Sequence, residues 1–139
     1  MSEIVVDTSV IVKWYIPEQH HEQARALRDA YLDGKFDLVA PALMPFEAAN
    51  ALKYSGHYEG ERLEEASRLL PEYGIDLVPF SKTGPVAEIA TNLGITIYDA
   101  AYVALARKLD TKAYTADGNL LDDLEGDYSE LAEHIRTYS

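Results

Sequence analysis

The chain has 139 residues, 47% of them hydrophobic and 26% charged, with no cysteine and a net charge of −12 from 24 acidic and 12 basic residues. Such a composition suits one ordinary globular domain over residues 1–139, excludes disulfides and thiolate zinc sites, and argues against a broad basic surface for nucleic acid. There is no run of about 18 apolar residues and no basic-then-apolar leader, so a cytoplasmic protein without membrane contact is expected.

Ile4-Val5-Val6 is a β-branched run that predicts a buried strand ending at Asp7. Ser9 is placed as the N-cap of a short helix through about Trp14, stopped by Pro17. Over residues 20–33, Ala24, Leu27 and Tyr31 recur at helical spacing, and Gly34 ends the run. Residues 36–40 read as a second strand, after which Pro41 opens a helix with Leu43, Phe46, Ala49 and Leu52 as its apolar face. Residues 59–73 form an amphipathic helix with Leu63, Ala66, Leu70 and Tyr73 inward. Residues 75–80 are a strand, placed at a sheet edge by Pro79.

A helix over residues 85–93 ends at Gly94. Next comes the apolar stretch 100–109, a buried helix headed by Asp99 and preceded by a strand-like "ITIY". Residues 112–116 predict a strand, residues 120–124 a short helix, and the neighbourhood of residues 134–138 a last strand. Short strands alternating with helices predict an α/β fold on a largely parallel sheet. Seven acidic residues lie between Asp117 and Glu133, with no Lys or Arg from there to Ile135; the run is a solvated face or a surface for a basic partner.

In such sheets, ligands bind beyond the carboxyl ends of strands, near the switch in strand order. Asp7, Asp99 and Asp117 each follow a predicted strand, and Glu47 lies one turn into the helix after the second. Asn50 and Tyr54 follow Glu47 at i+3 and i+7, on one stripe beside the apolar face. Four carboxylates gathered there would repel one another, and some would be forced to protonate. A divalent cation resolves this, and oxygen donors without cysteine favour Mg²⁺ or Mn²⁺. The chemistry on offer is activation of a water and stabilisation of charge on a phosphodiester. Plainer readings stand beside this one: Asp7 and Asp99 as helix caps, Glu47 as a solvated helix residue.

The segments "IVVDTSVIVKWY", "PFEAANAL", "YDAAYVALARKL" and "AYTADGNLL" resemble, in order and spacing, the successive motifs of PIN-domain nucleases, in particular the VapC-type toxins of toxin–antitoxin pairs. The likeness runs over residues 4–121. It implies an α/β/α sandwich with a five-stranded, mostly parallel sheet flanked by helices. It also implies a Mg²⁺- or Mn²⁺-dependent endoribonuclease that leaves 3′-hydroxyl and 5′-phosphate ends on RNA. Asp7, Glu47, Asp99 and Asp117 match the family's catalytic and metal-binding acidic quartet. Thr8, Ser9 and Thr115 match the hydroxyls that orient the carboxylates, and Asn50 matches a polar position after the glutamate.

The resemblance further implies a homodimer, and a small VapB-like antitoxin that inserts a basic side chain among the carboxylates. Lys13 and Lys53, each near an expected ligand, are candidate phosphate contacts or else solvated helix lysines. Many relatives carry another acid shortly after the last aspartate, where this chain has Gly118 and Asn119 with Asp122 nearby.

Two rivals remain at this level. A receiver-type Mg²⁺-binding signalling domain also places aspartates at strand ends, but needs an acidic pair after the first strand, where Thr8 and Ser9 stand. A noncatalytic PIN-like RNA-binding module would have lost the quartet that this chain keeps. The histidines lack mutual metal-ligand spacing, and the tyrosines, Tyr31, Tyr73 and Tyr102 among them, are read as packing.

Overall fold

The computed structural model describes residues 2–139. Its strands are β1 (Glu3–Val6), β2 (Asp37–Pro41), β3 (Asp76–Val78), β4 (Ala113–Thr115) and β5 (Ala132–His134). The α-helices are α1 (Thr8–Tyr15), α2 (His21–Leu32), α3 (Met44–Tyr54), α4 (Glu61–Leu69), α5 (Val86–Leu93), α6 (Ile97–Lys108) and α7 (Gly118–Asp123). Every strand pair is parallel, and the sheet order is β3-β2-β1-β4-β5. The chain steps outward from β1 to β3, then returns to the other side of β1 to lay down β4 and β5. The switch in order therefore falls between β1 and β4, with Val5 opposite Ala113 and Val6 opposite Tyr114. Receiver-type domains follow the order 2-1-3-4-5, so this topology removes that rival.

Helices flank the sheet, as parallel strands require. Val5 and Val6 of β1, and Leu38, Val39 and Ala40 of β2, are buried in one core with Val10 and Ile11 of α1. Helix α6 packs on β1 and β2, and its seven consecutive residues from Ala100 to Ala106 are all buried. Four of those seven are alanine. Their small side chains let the helix lie close to its neighbours, so α6 is a rigid internal beam. No single helix among the described residues is long and apolar enough to cross a membrane; α5 and α6 reach that apolar length only together, and they meet at 115°.

Four local expectations need correction. Ser9 is not the cap of α1: Asp7 holds that position, and Ser9 lies within the helix with its hydroxyl turned to Asp7. Pro41 ends β2 rather than opening α3, because Pro45 sets the start of the helix. That shift turns the buried face to Met44, Ala48 and Leu52, spaced four residues apart, and leaves Phe46 81% exposed. The "ITIY" stretch is no strand; Thr96 caps α6, and Asp99 falls inside its first turn. The last strand comes earlier than expected, at Ala132–His134, and residues Ile135–Thr137 form a 3-10 turn.

The placement of the α3 face has a measurable consequence. Met44→Ala is expected to destabilise the fold by about 2–5 kcal/mol, the cost of a buried methionine truncation, read from the urea midpoint at unchanged m-value. A cost within about 0.5 kcal/mol, typical of a surface position, would show that the face has been misassigned.

Candidate functional site

Asp7 leaves the carboxyl end of the central strand β1, and its amide still bonds the Tyr114 carbonyl of β4 at 3.0 Å. The residue is buried. Its Oδ2 accepts hydroxyl protons from Ser9 at 2.7 Å and from Thr115 at 2.8 Å. Both hydroxyls are themselves held, Ser9 Oγ accepting from the Ala116 amide and Thr115 Oγ1 from the Asp117 amide. The ends of β1 and β4 are thereby tied through side chains as well as through the ladder. Asp117 then caps α7, its Oδ1 accepting from the amides of Asn119 and Leu120 at 3.0 and 3.3 Å. In both aspartates one oxygen is engaged by the protein.

Asp99 reaches the site from α6. Thr96 Oγ1 accepts from the Asp99 amide at 3.1 Å, so the threonine performs the capping and Asp99 is not needed for it. The signal was present in the sequence as Thr96-x-x-Asp99, a capping-box spacing that places the acid at the third helical position. Glu47 comes from the first turn of α3, and its Oε1 accepts from Tyr102 Oη at 2.8 Å and from Thr8 Oγ1 at 3.1 Å. Thr8 Oγ1 and Tyr102 Oη lie only 2.7 Å apart.

Tyr102 is buried, as its packing role predicted, yet its hydroxyl belongs to this constellation. Sequence periodicity could not reveal that. Its position one turn after Asp99, on a helix buried on all sides, was the available sign.

Beside these groups lies a cavity of about 480 Å³, lined by Thr8, Ser9, Lys13, Glu18, Glu47 and Asn50 among others. Lys13 is 8% exposed, and its ammonium lies 3.3 Å from Glu18 Oε1. Lys53 does not line the cavity; it is exposed, with its ammonium over the Tyr54 ring. Asp123 of α7 contributes to the field at Asp99.

The electrostatics are one-sided. Burial raises the carboxyl of Asp7 above its ordinary range, and the charge of Asp117 adds to this against the hydroxyl bonds that lower it. Glu47 is raised by burial and by Asp7 and Asp99, opposed by its bonds from Tyr102 and Thr8. Asp99 is raised by burial, then by Asp7, Asp117 and Asp123. The phenol of Tyr102 is pushed far up by burial and by Asp7 and Glu47, so it stays protonated and donates.

The charged neighbours that shift the three carboxyls are all carboxylates. Among the described residues no three His, Asp or Glu side chains close into a ready-made metal cage. The donor set still fits a divalent cation: it consists of oxygens, the side-chain bonds to Asp7 and Glu47 fall on one oxygen of each, and the looser spacing leaves room for retained waters.

This arrangement sets the pH dependence of the fold. Because the carboxyls are raised, their protonated forms favour the native state. That stabilisation is fully present below the ordinary values of 3.8 for Asp7 and 4.5 for Glu47, and is lost as the pH climbs through the raised ones. In metal-free buffer the wild type is expected to lose Tm as the pH rises toward neutrality. Asp7→Asn is expected to flatten that slope and to match or exceed the wild-type Tm at neutral pH, as followed by circular dichroism. Parallel slopes for the two proteins would contradict the repulsion described above.

Comparison with known proteins agrees with this picture of the fold. A family model described as the PIN domain matches residues 4–126. Ribonuclease VapC3 of Pyrobaculum aerophilum is 37% identical over 128 residues, covering 86% of this chain and 93% of that protein. The crystal structure of PAE2754 from Pyrobaculum aerophilum superposes with a TM-score of 0.62 at 24% identity, over 98% of this chain and 91% of that one. FitAcB from Neisseria gonorrhoeae gives a TM-score of 0.64 at 17% identity, over 96% and 99% of the two chains. By sequence match and by topology, the chain belongs to the PIN-domain family and is related to its VapC-type members.

Proposed function

We propose that the protein is a divalent-metal-dependent endoribonuclease and the toxin of a VapBC-type toxin–antitoxin pair. The observation that carries this reading is the group of Asp7, Glu47, Asp99 and Asp117, set at the switch in strand order, in which the carboxyls of Asp7, Glu47 and Asp99 are raised first by burial and then by acidic neighbours. The kinship with Ribonuclease VapC3 supports RNA as the polymer cut. Asp7, Asp99 and Asp117 would hold Mg²⁺ or Mn²⁺, with Glu47 completing the shell, and the ion would supply activation of water and neutralisation of charge on the phosphodiester.

The chain's own residues do the rest. Ser9 and Thr115 orient Asp7 by donating to its Oδ2. Thr8 and Tyr102 occupy Oε1 of Glu47 and leave Oε2 as the atom that takes a proton from the attacking water. The hydrolysis ends with a 3′-hydroxyl and a 5′-phosphate. The cavity along α1 and α3 accommodates the adjacent backbone, with Asn50 to donate to a phosphate oxygen and Lys13 to offset its charge. Lys53 lies further out, as a weaker contact with the strand. The acidic surface suits a partner with basic side chains, in keeping with a small VapB-like antitoxin that delivers one to the carboxylates.

A homodimer belongs to the same reading. Phe46, Phe80, Ile97 and Tyr98 are exposed large apolar side chains, and Phe80, Ile97 and Tyr98 border a groove of about 230 Å³ near the site. Such a patch on a protein surface calls for a partner. Phe80→Asp is expected to convert a dimer to a monomer by light scattering without loss of helical signal. A wild-type monomer, or an unaffected dimer, would contradict this use of the patch.

The function itself is tested by cleavage of single-stranded and structured RNA with Mg²⁺ or Mn²⁺. Asp7→Asn and Asp99→Asn are each expected to slow cleavage by at least about 100-fold, the scale on which loss of one charge-stabilising group is felt. Chelation of the metal abolishes it. No cleavage by the wild type with either ion, or full activity in both variants, would overturn the assignment; RNA binding without cleavage would favour a noncatalytic module.

A further inference from the structure

We infer that Tyr102 is a positioning residue for Glu47, coupling the α3 carboxylate to the helix that carries Asp99; the inference rests on the metal-dependent reading given above. Three atoms meet within hydrogen-bond distance: Thr8 Oγ1 and Tyr102 Oη at 2.7 Å, Tyr102 Oη and Glu47 Oε1 at 2.8 Å, and Thr8 Oγ1 and Glu47 Oε1 at 3.1 Å. The two hydroxyls bring two hydrogens, so beside an ionised Glu47 only two of the three contacts can be hydrogen bonds at one time. Both hydroxyls donate to Glu47 Oε1, Tyr102 at 2.8 Å and Thr8 at 3.1 Å, which leaves the Thr8–Tyr102 pair in contact without a hydrogen between them. The shorter of the two bonds comes from Tyr102, so its phenol is the principal donor to the carboxylate.

The geometric consequence is specific. Glu47 sits on α3, a half-buried residue whose side chain has three rotatable bonds, yet its Oε1 is pinned by a group from α6. Tyr102 is 1% exposed and lies one helical turn after Asp99 on the same helix. Asp99 and the anchor of Glu47 therefore move as one body, and the separation of these two carboxylates is fixed by α6 rather than by the packing of α3. With Oε1 engaged, Glu47 would have a single oxygen left to offer a ligand. No other residue of α6 plays this part.

The test is Tyr102→Phe, which removes the hydroxyl and keeps the ring. Loss of a group that orients a ligand typically costs about 10–100-fold in metal affinity or activity. Calorimetric titration with Mn²⁺ is expected to show affinity weakened about 10-fold, and RNA cleavage to lose kcat by a similar factor with KM nearly unchanged. Thr8→Val is expected to have the same sign and a smaller size.

Tyr31→Phe supplies the structural control, because the Tyr31 hydroxyl donates to the Tyr73 carbonyl far from the carboxylates. It is expected to leave Mn²⁺ affinity and kcat at wild-type values. In a Glu47→Gln background, Tyr102→Phe is expected to cause no further loss of Mn²⁺ affinity. Wild-type Mn²⁺ affinity and kcat in Tyr102→Phe, or an undiminished loss in the Glu47→Gln background, would overturn the inference. A wild type that neither binds Mn²⁺ nor cuts RNA would instead overturn the functional reading on which it rests.

Discussion

Asp7 is the fixed point on which the site depends. It ends the central strand, it is buried, and one of its oxygens takes protons from Ser9 and Thr115. Those two hydroxyls also receive the amides of Ala116 and Asp117, so the end of β4 is tied to the end of β1. A carboxylate in an interior is costly unless hydrogen-bonded, and the same bonds that offset this cost fix the orientation of the carboxylate. Asp117 is placed by that tie, and its own second role as the cap of α7 sets the helix that brings Asp123 toward Asp99.

Around this point the protein accepts repulsion. Asp7, Glu47 and Asp99 are raised first by burial, and each also raises or is raised by another member of the group. An ordinary core would remove such charges; strained electrostatics of this kind concentrate at functional sites. The hydroxyls of Thr8, Ser9, Thr115 and Tyr102 hold the carboxylates in place without neutralising them. The arrangement is stiff on the protein side and open on the ligand side, which is the preorganisation that charge-stabilising catalysis requires.

Much of this was legible in the residues. β-Branched runs marked the strands, glycines at 34 and 94 marked helix ends, and the placement of acids after strands pointed to one sheet edge. What the pattern misjudged follows from competing local rules. Two prolines lie four residues apart, Pro41 at the end of β2 and Pro45 in the first turn of α3, and only the second belongs to the helix, which rotated the buried face from Phe46 to Met44. The plainer cap reading of Asp99 stood open because an acid suits that place, whereas Thr96 three residues earlier does the capping. Tyr102 was assigned to packing because burial and spacing report where a ring lies and nothing about its hydroxyl. In each case the missing information was three-dimensional: which of two residues of similar propensity meets the partner.

The central claim is that these carboxylates exist to hold a divalent cation. The most direct measurement is an anomalous difference map from crystals grown with Mn²⁺. The account predicts a peak bounded by Asp7, Asp99 and Asp117, with the free Oε2 of Glu47 facing it directly or through one water. A peak confined to the acidic stretch beyond Asp117, or none at saturating Mn²⁺, would contradict it.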